Sequence, residues 1–350
     1  MQDEIKDLIL EHAISAPSAD NSQPWKFHWN GEILEIHIDE TRSGGPSDKS
    51  FLLSDMSIGA LIENISQTSF ILGYKDKITL FPRGVIEAPF YTAQIEFHKD
   101  DQADIDLQAA RDRLQFIRDR HTDRSFPWKE IPAETKESLA SLCEDIPGTD
   151  IIWLNRQEKK TARQAMWQAE SLRFSTKELH SELFSSIRFD IGWKNSTKEG
   201  LAPASLNVEW FARPVFSACR RWSLMRMLNL IGAAKGFGFR SAYLPNLLSP
   251  ELVAICTSGD SRQAIICGAR TMQRFWLLAN KKGLSIQPFA APSVIYLAKE
   301  IPVSENKSSK IKEKLAALNP NMSILILLRA GLSSTPKPGH TSLRRGLSDF

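Results

Sequence analysis

The chain has 350 residues, of which 42% are hydrophobic, enough to form one large or two medium hydrophobic cores. Its 44 Lys and Arg residues nearly balance its 41 Asp and Glu residues, and the net charge of +3 is too small to indicate a nucleic-acid or membrane-surface binder. We therefore expect small-molecule partners, no nucleic acid and no membrane.

The four cysteines, Cys143, Cys219, Cys256 and Cys267, are far apart and lie among apolar neighbours. They form no Cys-x-x-Cys or Cys/His spacing, so we expect reduced thiols in a cytoplasmic protein and no metal site. The N-terminus is acidic and amphipathic, unlike a signal peptide. No apolar run approaches the roughly 20 residues that cross a bilayer.

Apolar spacing predicts a first helix over residues 3–14, and the polar loop SAPSADNSQPW follows it. Two alternating runs, WKFHWN and ILEIHI, flank Asn30-Gly31 and predict a β-hairpin. A long apolar helix then ends at Gly73. The runs KITLFP and YTAQIEFH predict two further strands, so the first part of the chain is α+β.

The second part of the chain begins similarly, with a helix, a basic exit ending near Pro127, a second helix and the strand TDIIWLN. A long helix ending at Gly283-Leu284 again continues into an extended run. This weak repeat predicts two tandem, pseudo-symmetric halves of α+β class, each a helix with an antiparallel sheet, that form an internal dimer. We place the halves at residues 1–108 and 109–350.

Three further segments lie in the second half. Residues 200–244 are rich in Phe, Trp, Met and Leu and are predicted to be helical and partly buried. Residues 300–318 predict a surface excursion with a short helix, and SILILLRAG predicts a buried strand. The tail TPKPGHTSLRRGLSDF is loop-like, and its arginines reach a ligand only if it folds back.

Four motifs stand out: APSADNSQPW (16–25), RHTDRSF (120–126), GLSIQP (283–288) and LRAGL with SLRRGL (328–347). In these motifs the chain resembles the FMN-dependent nitroreductase superfamily, in particular its fused, pseudo-dimeric Acg-like branch. The resemblance implies a nitroreductase-like fold with FMN between the halves. Here the Asn-Ser-Gln-Pro-Trp loop lies in the first half and the arginine motif in the second. This division implies one complete FMN site per chain and an empty second pseudo-site.

The arginine motif is the phosphate-binding element that the resemblance implies, with Arg120, Thr122 and Arg124 supported by Arg344 and Arg345. In an extended segment the first three would share one face and converge on the phosphate. The alternative is that arginines at a helix C-terminus only complement the helix dipole. His121 fits a solvated spacer.

The polar loop is expected at the ribityl chain or ring edge of the flavin, through Pro17, Ser18, Asn21 and Gln23, although Gln23, like Trp25, fits a structural role better. A capped turn is the alternative for this loop. The resemblance also places Pro288, Phe289, Ala290 and Ala291 at the flavin, with the N–H of Ala290 or Ala291 facing N5. The family often has Glu-Gly here, so the two alanines remove a side chain that shapes the substrate side.

Two functions follow from the resemblance. The first is an oxidoreductase in which NAD(P)H reduces FMN and a small planar or conjugated acceptor then takes the electrons, with no catalytic side chain and no metal. The second is a catalytically quiet flavin-sequestering or sensing protein, closed by a lid insert at residues 196–244. The internal pseudo-dimer implies a monomer or a weak homo-oligomer. The sequence does not identify the acceptor or distinguish NADH from NADPH.

Overall fold

The structure, a computed structural model, describes residues 1–100, 106–141, 145–333 and 342–350. It contains helices and two antiparallel sheets, which confirms the α+β prediction. Cys219 is a buried free thiol, Cys256 is buried and Cys267 is half-buried. Cys143 lies outside the described residues. Within the described ranges, no helix combines the length and the apolar character needed to cross a bilayer.

The first sheet is formed by residues 25–99. Its elements in chain order are α1 (Asp3–Ala13), β1 (Trp25–Asn30), β2 (Ile33–Ile38), α2 (Leu52–Ile71), β3 (Tyr74–Leu80) and β4 (Tyr91–Lys99). Asn30 pairs with Ile33 across a two-residue turn in which Gly31 has a φ of +62°, a conformation that glycine adopts without strain. The predicted hairpin is therefore confirmed.

The second sheet and its helices follow. The elements are α3 (Leu107–Asp119), β5 (Trp128–Lys129), α4 (Ala133–Ala140), β6 (Thr149–Trp153), α5 (Arg156–Ser175), α6 (Lys177–Ser186), α7 (Arg213–Ala218), α8 (Trp222–Asn229), α9 (Ala233–Gly238), α10 (Leu244–Leu247), β7 (Glu251–Thr257), α11 (Arg262–Lys281), β8 (Ser285–Phe289), α12 (Ala290–Leu297), α13 (Glu305–Ala316) and β9 (Ser323–Ser333).

The two sheets share one topology. The first has the strand order β1-β2-β4-β3, with α2 connecting the second strand to the third. The second has the order β6-β7-β9-β8, with α11 in the same position, and the short β5 adds to β9. This repetition agrees with the prediction of two tandem halves. The boundary between residues 108 and 109 stays a prediction.

The two long helices α2 and α11 pack against each other in the core. Gly59 allows this approach, because an added Cβ would collide with the carbonyl oxygen of Ile266 and with Ala269. Asp55, fully buried on α2, accepts two hydrogen bonds from Arg262 of α11 at 2.7 and 2.8 Å. Burial raises the pKa of Asp55 to about 7, even though Arg262 opposes this shift. The helices are thus held by close packing and by buried ion pairs.

The C-terminal tail, residues 342–350, folds back onto the first half. The ring of Phe350 lies 6.2 Å from that of Trp25 and 5.9 Å from that of Phe27. Trp25 is fully buried, which agrees with the structural role expected for it. The tail therefore meets the condition under which its arginines can reach a ligand.

Candidate functional site

A cavity of about 800 Å³ lies between the two halves, a size typical of small-molecule sites. The first half contributes residues 15–22 and part of the segment 41–54. The second half contributes residues from 118–124, α5, α6, the junction of β8 with α12, and the segment 201–241. Arg344 of the tail completes the wall. Residues distant in the chain therefore form one composite site.

The residue types of the polar loop after α1 are mostly explained by the backbone conformation that the loop adopts. Asp20, Asn21 and Gln23 have φ values of +49°, +58° and +50°, in the left-handed region that Asn and Asp adopt more readily than most residues. Ser18 Oγ accepts a hydrogen bond from the N–H of Gln23 at 3.0 Å. Asn21 Nδ2 donates to the carbonyl of Lys198 at 3.1 Å. Pro17, Ser18 and Asn21 line the cavity, and their contact with a flavin stays a prediction.

Gln23 and Arg345 lie outside the cavity lining, contrary to the expectation that they contact the cofactor. The N–H of Arg345 donates to Gln23 Oε1 at 3.0 Å, and Arg345 Nη2 donates to the carbonyl of Gln23 at 3.3 Å. Gln23 Nε2 donates to the carbonyl of Lys198 at 2.7 Å. These contacts fasten the tail to the loop, so the placement of Gln23 and Arg345 is structural.

Arg120 and Arg344 both line the cavity, close enough for the charge of Arg344 to act on Arg120. Arg120 Nη2 donates to the carbonyl of Ser15 at 3.2 Å, and Arg344 Nη2 donates to that of Ala16 at 2.9 Å. Arg120 also lies 4.5 Å from the ring centre of Trp276, and its buried Nε has no hydrogen-bond partner. Within the described residues, no carboxylate forms an ion pair with either guanidinium.

This pairing of two cations is electrostatically unfavourable without an anion. Burial, and then the charge of Arg344, lower the pKa of Arg120 to about 9. Burial lowers the pKa of Arg344 to about 10. Arg344 already donates through Nε to the carbonyl of Ala16 at 3.2 Å and through Nη1 to Asn21 Oδ1 at 3.0 Å, whereas Arg120 keeps a buried Nε without a partner. An anion with several oxygens, such as a phosphate, would supply the negative charge that both guanidinium groups lack and an acceptor for Arg120. The donor set therefore fits a phosphate group.

Arg124 and Thr122 also line the cavity, but Arg124 has different neighbours from Arg120. Arg124 Nη1 donates to the carbonyl of Ser205 at 3.1 Å. Its charge interacts with Asp20, which pairs with Arg173 at 3.3 Å. Arg120 and Arg124 thus have different hydrogen-bond acceptors within one cavity, and their convergence on one phosphate stays a prediction.

Arg329, in β9, fixes the segment that carries these arginines. It is fully buried, and its Nη2 donates to the carbonyl of Ser125 at 2.8 Å while its Nε donates to Gln287 Oε1 at 2.8 Å. Burial lowers its pKa to about 9. Sequence reasoning gave Arg329 no role. The signal was present, because an arginine inside the apolar run SILILLRAG must find buried acceptors.

The junction of β8 with α12 forms another part of the cavity wall, through Pro288, Phe289, Ala290 and Ala291. Ala290 and Ala291 begin α12, and the first N–H groups of a helix have no partner within it. The helix dipole makes this end weakly positive. Ala290 and Ala291 thus line the cavity at the start of a helix, and the role expected for their N–H groups stays a prediction.

Helices α5 and α6 contribute cavity residues that sequence reasoning missed, namely Glu170, Arg173, Phe174 and Glu182. Burial raises the pKa of both Glu170 and Glu182. Burial acts to lower the pKa of Arg173, but the negative charges of Asp20, Glu170 and Glu182 outweigh this effect and raise the pKa. The site therefore combines a cationic part at Arg120 with a mixed-charge part at Arg173. His121 lines its edge, with Nδ1 2.8 Å from the carbonyl oxygen of Asp119.

Comparison with known proteins gives relatives at low identity. The chain is 24% identical over 301 residues to PigM of Serratia sp., named as a probable NAD(P)H nitroreductase, covering 81% of this chain and 80% of that one. It is 26% identical over 209 residues to acg of Mycobacterium tuberculosis, also named as an NAD(P)H nitroreductase, and covers 58% of the length of each. No model of a known protein family matches the chain.

Among solved structures, the chain is similar to NfnB of Mycobacterium smegmatis, described as an FMN-dependent nitroreductase in complex with NADPH. The TM-score is 0.37 and the sequence identity 14%, and the match covers 70% of this chain and 98% of that one.

Proposed function

This chain is a relative of proteins named as NAD(P)H nitroreductases, and from that premise we propose that it is an FMN-dependent oxidoreductase of nitroreductase type. Its reductant is NAD(P)H, and its acceptor is a small planar or conjugated molecule. The observation that carries the proposal is the pair of Arg120 and Arg344 at the cavity, which lacks a carboxylate partner within the described residues and fits the phosphate of FMN.

The other walls of the cavity suit the rest of the cofactor. When bound, FMN supplies the two-electron redox chemistry, and the protein supplies binding and orientation. The N–H groups of Ala290 and Ala291 would donate toward the flavin ring at the positive end of α12. Pro17, Ser18 and Asn21 would border the ring or the ribityl chain from the other half. NAD(P)H and the acceptor would enter the same cavity in turn.

We further propose residues 1–108 and 109–350 as the two halves, with residues 196–244 as a lid. Leu206, Phe216 and Phe237 of this segment line the cavity, which supports the lid. The paired halves remove the usual reason to dimerise, so we propose a monomer or a weak homo-oligomer. The free thiols of Cys219 and Cys267 support a cytoplasmic location.

The same lining favours a second candidate function. Apolar residues of the insert cover one side of the cavity, and such a cover could exclude acceptors and leave the flavin sequestered. The protein would then bind FMN without turnover.

An anaerobic titration of the FMN-loaded protein with NADPH and with NADH separates the two functions. Loss of the yellow colour, followed by its return when a nitroaromatic or quinone acceptor is added, is the result expected of the oxidoreductase. Protein that stays yellow with both nucleotides, but is bleached by dithionite, would overturn the enzymatic proposal and favour sequestration.

A further inference from the structure

The insert carries a group of exposed apolar side chains, here called the insert surface. Leu230 is 86% exposed, Ile231 84% and Trp210 78%. Single exposed apolar residues are ordinary, but six within 22 residues of one segment are not. The insert surface consists of Trp210, Phe211, Val215, Met227, Leu230 and Ile231.

The same segment holds a concentration of positive charge. Residues 210–250 contain six basic residues and no Asp or Glu, and since the whole chain carries only +3, the remainder is net negative. The small overall charge therefore conceals a strongly basic region. Its basic residues are Arg213, Arg220, Arg221, Arg226, Lys235 and Arg240, of which Arg240 pairs with Glu209, directly before this range.

The apolar and basic residues are neighbours in space. Met227, Arg220 and Arg221 line one open depression, and no carboxylate is part of its lining. Leu230 follows directly, with its N–H donating to the carbonyl of Met227 at 3.1 Å. Val215 is 58% exposed and also lines the main cavity. The insert surface thus extends from the basic depression to the mouth of the cavity.

We propose that the insert surface binds the interface of a bilayer that contains anionic lipid. Interfacial protein segments combine Trp, Phe and Leu side chains, which enter the headgroup region, with Arg and Lys side chains, which contact lipid phosphates. A second copy of this chain fits less well, because a two-fold symmetric contact through this surface would bring two basic regions together at one interface. An acidic bilayer surface satisfies both features without this repulsion.

Bilayer binding would place the cavity mouth at the lipid, from which an apolar reactant could enter. That consequence rests on the proposed function. The binding itself requires no flavin and no turnover, so it is tested separately.

The test is co-sedimentation of the full-length protein with phosphatidylcholine vesicles and with vesicles that contain phosphatidylglycerol, at low and at high salt. We expect binding to the anionic vesicles only, weakened by salt. The double variant Leu230→Ser with Ile231→Ser tests the apolar part. Its control is Ile86→Ser with Phe70→Ser, which removes two equally exposed apolar residues far from the insert in sequence.

The triple variant Arg220→Gln, Arg221→Gln and Arg226→Gln tests the charged part, with Arg113→Gln, Lys129→Gln and Lys282→Gln as its control. Because each basic residue near an anionic surface contributes separately, the insert triple should lose at least about tenfold in vesicle affinity. The control triple should lose much less.

Three results would overturn the proposal: no binding to anionic vesicles, binding that both insert variants retain, or a dimer in light scattering that Leu230→Ser with Ile231→Ser dissociates while vesicles are not bound. The last result would make the insert surface a contact between copies, and binding of an acidic protein in place of vesicles would make it a protein-docking surface.

Discussion

Arg120 and Arg344 show how a site residue can be unfavourable for the protein that carries it. Arg120 is buried and Arg344 half-buried, each donates to a backbone carbonyl, and the charge of Arg344 acts on Arg120. A phosphate would reverse this cost, because it would accept charge-assisted hydrogen bonds from both. Substitution of Arg120 should therefore weaken FMN binding without lowering the stability of the flavin-free protein.

Replacing Arg120 by Met, or Arg344 by Met, should weaken FMN binding by about 10- to 100-fold, the loss of one hydrogen bond between charged groups. For Arg120→Met the free energy of unfolding of the flavin-free protein should stay level or rise, because a repulsion between two cations is removed. Arg344→Met also removes hydrogen bonds to Ala16 and Asn21, so it should lower that free energy. Fluorescence titration and urea denaturation measure the two effects. Arg111→Met, at an exposed site outside the cavity, is the control. A variant that loses stability but keeps FMN affinity would contradict this account.

FMN affinity should also fall as the pH rises through about 9 to 10. The pKa of Arg120 is lowered to about 9 and that of Arg344 to about 10, so both carry their charge below these values and lose it above them. The unfolded chain keeps these protons to higher pH, so the flavin-free protein gains stability over the same range. Dissociation constants at pH 7, 8, 9 and 10 test the prediction. The double variant Arg120→Met with Arg344→Met should lack this pH dependence. A wild-type affinity for FMN that does not change between pH 7 and pH 10 would contradict the prediction.

At the scale of elements, the packing of α2 on α11 depends on the absence of a side chain at Gly59. Gly59→Ala should lower the free energy of unfolding by about 1–3 kcal/mol, since an added methyl group collides with the backbone of α11 at Ile266. Gly236→Ala in α9 is the control, because nothing lies within 4 Å of its added Cβ and alanine favours a helix. Urea denaturation of both variants gives the comparison. Equal effects would show that the approach of the helices is not tight at Gly59.

The elements that could be predicted from the sequence are those with local signals. The hairpin at Asn30-Gly31, the long helices ending near Gly73 and Gly283, and the strand in SILILLRAG depend on residue spacing and turn chemistry. The cavity wall formed by α5 could not be predicted, because spacing shows that a helix has an apolar face but not which element it meets. The different neighbours of Arg120 and Arg124 likewise depend on how the tail and the insert pack.

At the scale of the whole molecule, the site exists only because distant parts of the chain meet. The loop at residues 15–22, the arginine segment at 118–124 and the tail at Arg344 converge on one cavity. Sequence motifs identified each of these three parts, and the family resemblance suggested that they lie together. The side chains of Gln23 and Arg345 fasten the loop to the tail, a role that no motif could show.

The composite site combines the polar loop of the first half with the arginine motif of the second half. The second pseudo-site lacks both elements, so we expect it to bind no flavin. The whole molecule should therefore hold half the flavin of a dimer with two complete sites.

The most direct test is the amount of FMN released per chain from protein purified after saturation with FMN, for the wild type and for Arg120→Met with Arg344→Met. We expect one FMN per chain in the wild type and nearly none in the variant. Two FMN per chain, none at all after FMN is supplied, or an unchanged amount in the variant would contradict the composite site.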